Sequence, residues 1–220
     1  MSVLQNLVRN ARRTPPSLTT KKRVAQRGVS AVEFALIAPL MVLMLFGATE
    51  ASLAVTIDRK TTLAASTLGD LAAQTDLVSC AELSQISAVT RQVFEPYSGT
   101  NATMVVASLK LDAGAAKVEW SKFLRTDSST GSILCDDVPA SHSLYVGKTV
   151  TVDTGLFAPG GGGLVVGDVE MVHTSIGTSF IANNLKLHER FYLRPRKSLK
   201  LKLCTQTGAG VTAATCTTTT

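Results

Sequence analysis

The stretch from Phe34 to Ile57 constrains this chain more than any other. Sixteen residues, Phe34 to Thr49, carry no charge; Glu50 interrupts, and Ala51 to Ile57 continue uncharged up to Asp58. These 24 residues span roughly 36 Å as an α-helix, enough to cross a hydrocarbon core about 30 Å thick. The competing reading is a buried core helix of a soluble protein, because the strictly uncharged run is shorter than the roughly 18 residues usual for a span. Pro39 lies inside the run, where it removes one backbone hydrogen bond and favours a kink. Membrane helices tolerate such a proline when neighbours satisfy the freed carbonyl. Two carboxylates flank the run. An ionisable group in a membrane segment needs a partner or a polar escape; Glu50 sits near the outer end, within reach of the headgroups, and Glu33 sits near the inner end.

Charge orients the segment. The chain of 220 residues has a formal net charge of +6, but residues 1–28 hold seven Lys/Arg and no acid. The remainder holds 22 − 7 = 15 Lys/Arg against 16 Asp/Glu, a net charge of −1. The basicity therefore belongs to a tail that abuts an apolar segment, which favours a membrane partner over nucleic acid. The excess of positive charge upstream, against Arg59 and Lys60 downstream, places the N-terminus in the cytoplasm and the rest outside it. With Pro15, Pro16, Ser17, Thr19 and Thr20 among its basic residues, the 1–28 segment is expected to be a mostly disordered cytoplasmic leader. A secretory signal peptide is a poor fit, since its cleavage site follows the apolar stretch.

The expected fold class is α+β, a long N-terminal transmembrane and stalk helix followed by a small antiparallel-sheet domain with a packed helix. The boundaries are a basic leader at 1–28, a transmembrane helix at 29–57, a helical stalk at 58–95 and a β-rich domain at 96–220 with a loose tail. Leu53, Ile57, Ala64, Leu68, Leu71 and Ala72 recur at helical spacing, and no proline occurs between Pro39 and Pro96, so the anchor helix is expected to continue to about Gln74. A second amphipathic helix is expected from Ala81 to Phe94, ended by Pro96. Period-two alternation then takes over at Val105–Leu111 and Ala116–Trp120, joined by a turn at Asp112–Ala115. Further strands are expected at 146–152, 165–173, 189–193 and 199–203. Alternation of this kind predicts one buried and one wet sheet face. Gly160–Gly163 read as a flexible loop tip.

Cys80, Cys135, Cys204 and Cys216 all follow the apolar segment, and none has CxxC or histidine-paired metal spacing. An even number beyond an anchor suits disulfides in an oxidising compartment, with free buried thiols as the alternative. Four cysteines allow three pairings and the sequence does not choose; the preferred set is Cys80–Cys135 with the short-loop pair Cys204–Cys216. No cofactor, metal site or catalytic constellation is expected: His142, His173 and His188 are scattered, and no GxSxG serine accompanies them. Asp136 and Asp137 read as a solvated turn. Arg194, Arg196, Lys197, Lys200 and Lys202 read as the wet side of a strand carrying Leu199, Leu201 and Leu203, although the cluster could also meet anionic lipid or polysaccharide.

Gly28, followed by Val29-Ser30-Ala31-Val32-Glu33-Phe34, resembles the type IV prepilin cleavage motif: a glycine, four residues, a glutamate, an aromatic residue and an apolar helix. More narrowly, Arg27-Gly28, Ala31 to Leu36, Ala38-Pro39 and Gly47 to Glu50 resemble the TadE/TadG-like proteins of the tight-adherence (Flp) pilus. Thr67 to Gln74, Val118 to Ser121 and Phe191 to Arg196 are similar to later segments of that family. The resemblance implies a minor pseudopilin or assembly factor in the bacterial inner membrane, single-pass, with a periplasmic C-terminal domain and association with the pilus left open. No enzyme is expected, since no constellation of residues supports one. The resemblance implies cutting by a prepilin peptidase between Gly28 and Val29, with Glu33 and Phe34 as recognition and assembly residues. Glu33 would meet the new N-terminal amine of a neighbouring subunit, an attraction that is strong at low dielectric. Val29 departs from the methionine or phenylalanine common at that position. The implied partners are membrane lipid, the peptidase and other pilin-like or Tad assembly proteins. The alternative function is a single-span protein whose outer domain binds a ligand or surface without joining a filament.

Overall fold

The computed structural model describes residues 19–97, 99–173 and 185–204. The chain divides into two compact units, Met1–Glu50 and Ala51–Thr220. Helix α1, Thr19–Ala73, begins in the first and ends in the second. It takes in residues 19–28 of the segment expected as a mostly disordered leader. The sequence Lys-Lys-Arg-Val-Ala-Gln-Arg that follows Thr20 is rich in good helix formers and free of proline, so it extends the helix backwards. Pro39 is accommodated within α1 without ending it.

The second unit is a sheet covered on both faces. Strands β2 (Ala102–Asp112), β3 (Ala115–Thr126), β4 (Ile133–Asp137), β6 (Leu164–His173) and β7 (Leu185–Leu193) form an antiparallel sheet in the order β4-β3-β2-β6-β7, and the short β5 (Thr149–Val150) pairs with β3. The β2–β3 turn carries Ala113 and Gly114 at φ 50° and 82°, the pair of positive values that a two-residue type I′ hairpin requires. A bulge sets Val118 and Trp120 on opposite faces: Ser108 pairs with Trp120 and the next residue, Leu109, pairs with Val118, leaving Glu119 as the extra residue. Simple alternation from Ala116 to Trp120 is thereby corrected.

On one face lie the second-unit part of α1 and helix α2 (Cys80–Arg91), which bury Ile57, Ala64, Ala65, Leu68, Ala72 and Leu83 against Met104, Val106, Trp120, Leu124 and Val169. Residues 58–95, expected as a stalk, thus pack on the sheet. The approach is closest at Gly167, where an added Cβ would lie 2.5 Å from the Ala65 carbonyl oxygen and 2.7 Å from the Gly69 nitrogen. Small residues at 64, 65, 69, 72 and 73 let the helix backbone reach the strand. Buried Thr61 meets its own need by donating to the Ile57 carbonyl (2.9 Å). The C-terminal carbonyl of α1, on Ala73, accepts from the Arg196 amide (2.9 Å). Helix α2 starts at a capping box in which Ser79 and Glu82 each accept from the other's backbone amide. It ends at Arg91, whose guanidinium donates to the Gly99 and Ala102 carbonyls (both 2.7 Å).

The opposite face corrects the expectation of a wet side. Val138, Leu144, Val150 and Phe157, from the segment between β4 and β6, close over Val105, Ala107, Leu109, Ala116, Val118, Leu164 and Val166. The four covering side chains are spread too widely for any local period, so the lid is invisible to pattern reading. The strand expected over 146–152 shrinks to the two residues of β5. The strand expected over 199–203 shrinks to β8 (Lys202–Leu203), which lies outside the main sheet and pairs in parallel with β1 (Leu77–Val78). The Asp136–Asp137 turn is instead the end of edge strand β4, where Asp137 pairs with Lys122 and Asp136 with Arg125. Gly163 is no loop tip: it is buried against the Leu109 carbonyl and its amide donates to Leu199 O (2.7 Å).

Candidate membrane anchor and processing segment

Within the first unit the described residues are all helical. From Val29 to Phe46 every large apolar side chain is exposed, from 48% at Val42 to 76% at Leu36. A core helix buries at least one face; this stretch buries none among the described residues. The helix is long and apolar enough to cross a membrane. Glu33, Phe34 and Pro39 are exposed on it, Glu50 is half-buried, and Ile57 opens the buried face in the second unit. Gly28 and Val29 are helical, and a Cβ at Gly28 would meet open space. Packing therefore does not explain the glycine at position 28. Its effect on the helix is to weaken it locally, by roughly 1 kcal/mol relative to alanine.

Beyond the anchor, the Cys80–Cys135 disulfide ties the start of α2 to β4 across 55 residues of sequence. Cys204 is also disulfide-bonded; Cys216, its expected partner, lies outside the described residues, as do leader residues 1–18 and the tail from 205.

A buried charge cluster was missed in the sequence. Asp168, on β6, has only 3% of its side chain exposed and accepts from Arg190 Nε (2.5 Å); His188 Nε2 lies 2.9 Å away. Arg190 stands directly across the ladder from Asp168, and its Nη2 donates to Ser143 Oγ (2.7 Å). Burial acts to lower the Arg190 pKa, yet the Asp168 charge and hydrogen bond, with Tyr192, leave it above its ordinary value. Burial pushes the nearby His142 imidazole below its ordinary value, and its Nδ1 accepts from the Leu144 amide (3.1 Å). Ser143 Oγ accepts the Arg190 hydrogen bond, which ties it to the Asp168 cluster. The cluster joins β6, β7 and the segment that covers the second sheet face. Its sequence signal was an acid, Asp168, within the largely apolar run from Leu164 to Val169. Among the described residues no three His, Cys, Asp or Glu side chains converge as metal ligands.

Anchor and sheet together define an α+β protein preceded by one exposed apolar helix. Residues 28–68 match the model of the TadE-like protein family. The match begins at Gly28 and takes in the whole exposed apolar run and the first turns that pack on the sheet. That family points to tight-adherence pilus assembly and to a membrane-anchored component with a single N-terminal apolar helix. No curated protein and no solved structure matches the chain.

Proposed function

We propose that this chain is a minor pseudopilin or assembly factor of a tight-adherence pilus, held in the inner membrane by residues 29–57, with its sheet domain in the periplasm. A prepilin peptidase removes residues 1–28, and Glu33 then pairs with the N-terminal amine of a neighbouring pilin-like subunit. One observation carries the reading: directly after Gly28 comes a stretch of α1, Val29–Phe46, whose large apolar side chains are all exposed and whose one acid is Glu33, and it lies within the TadE-like match. The helix must open locally for a protease to reach the peptide after Gly28, and glycine is the residue that makes such opening least costly. The disulfide supports an oxidising compartment for the outer domain. The basic leader supports retention of residues 1–28 on the cytoplasmic side until cutting.

N-terminal sequencing of the membrane-extracted chain, made with and without an active prepilin peptidase, tests this. The expected mature terminus is Val29, and Gly28→Val leaves the chain at full length. A chain that keeps its leader in the presence of the enzyme favours the other reading, a single-span protein with a ligand- or surface-binding outer domain.

A further inference from the structure

The segment Arg194–Cys204 contains five cations, Arg194, Arg196, Lys197, Lys200 and Lys202, and no acid. Its backbone is held at several points. Leu199 O accepts from the Gly163 amide, Leu201 O accepts from Trp120 Nε1 (2.8 Å), and the Lys202 and Cys204 amides donate to Asp76 O and Val78 O. Both arginines are engaged internally: Arg194 with the Leu156 and Gly155 carbonyls, Arg196 with Asp70. The ammonium groups of the three lysines make no hydrogen bond or ion pair to any described residue. Among them stands Leu199, 62% exposed, while Leu201 two residues on is 1% exposed. A rigid segment thus presents one leucine among three unpaired ammonium groups. It lies at the Ala73 end of α1, about 24 Å of helix beyond Ile57.

We infer that Lys197, Lys200, Lys202 and Leu199 form a docking point for an anionic lipid surface. The lysines meet headgroup phosphates and the leucine enters the headgroup–acyl boundary. Lysines serve a fluid array of phosphates as adaptable point charges, whereas the bidentate forks that fix an acidic peptide are here already used inside the fold. The inference rests on the membrane-anchored reading of α1, so the lipid surface is best offered in trans.

The test uses the full chain reconstituted into phosphatidylcholine vesicles, with the outward-facing fraction measured by protease accessibility. Second vesicles are added, of phosphatidylcholine alone or mixed with phosphatidylglycerol, and docking is followed by light scattering. Docking is expected only with the anionic vesicles and is lost at high salt. The pair Lys197→Ser and Lys202→Ser should weaken it about thirtyfold, Leu199→Ser about tenfold, and Lys197→Arg with Lys202→Arg should retain it. Equal docking to neutral vesicles, undiminished docking by the serine variants, or binding of soluble polyglutamate without anionic vesicles would overturn the inference. Failure of the chain to resist alkaline extraction overturns the anchor and the inference together. An inserted chain that ignores anionic vesicles overturns the inference alone.

Discussion

Helix α1 solves two different problems with two different compositions. Between Val29 and Phe46 it carries large leucine, isoleucine, methionine, valine and phenylalanine side chains, all exposed. Between Ile57 and Ala73 its buried positions are mainly alanine, with Thr61, Leu68 and Gly69. Lipid rewards apolar area on every side, so large side chains all round are the stable choice. A sheet rewards close approach, so small side chains on one side are the stable choice, and Gly167 marks where that approach is tightest. Helical propensity is similar in both stretches; the surroundings decide which residues are large.

Four experiments break or sharpen this contrast. Removing the staple has the largest expected effect. Cys80→Ala with Cys135→Ala opens a loop of 55 residues and should destabilise the outer unit by about 4 kcal/mol, with no change in membrane retention. Urea unfolding followed by Trp120 fluorescence, alongside alkaline extraction, measures both. Next come matched truncations. Leu68→Ala leaves a cavity between helix and sheet and should lower stability by about 3 kcal/mol; Leu43→Ala should lower it by less than about 0.5 kcal/mol. Equal effects would mean that the two stretches share one environment.

The third concerns the charge cluster. Asp168→Asn leaves Arg190 without its counter-ion and should cost about 2 kcal/mol, reduced from the range for fully buried pairs because Arg190 keeps 18% of its side chain exposed. Hydrogen exchange should then rise across residues 138–163, which Arg190 holds through Ser143. The smallest effect is that of pH. His142 has a folded pKa below its ordinary 6.5, so the unfolded chain binds more protons between the two values. Stability therefore falls as the pH drops through about 6.5. His142→Asn, which keeps an acceptor for the Leu144 amide, should flatten that slope.

What could be read in advance followed the physics of each region. The long apolar helix was legible because an unbroken run of uncharged residues is a local signal. Helix α2 was expected from 81 to 94 and occupies Cys80–Arg91 with a single 3-10 turn to Phe94, because its amphipathic period and Pro96 are both local signals. The β2–β3 hairpin was legible for the same reason. The second sheet face was not. Leu144 and Phe157 lie in irregular chain, and nothing near them in sequence says that they close a core. Trp120 was assigned to the wrong face because a bulge at Glu119 has no residue signature there. Strand β4 was missed because its two acids read as solvent-facing, whereas edge strands carry paired charges readily. The Asp168 cluster depends on register between β6 and β7, which local pattern does not reveal.

The central claim is that α1 changes solvent along its length, from lipid to protein. Spin labels placed one at a time at positions 36, 40, 43, 61, 64 and 68 of the full chain in lipid vesicles test it directly, read by collisions with oxygen and with a water-soluble nickel complex. Positions 36, 40 and 43 should be open to oxygen and closed to nickel whichever side of the helix they occupy, and positions 61, 64 and 68 should be closed to both. Nickel access at 40 and 43, or oxygen access at 64 and 68 equal to that at 43, would contradict the account.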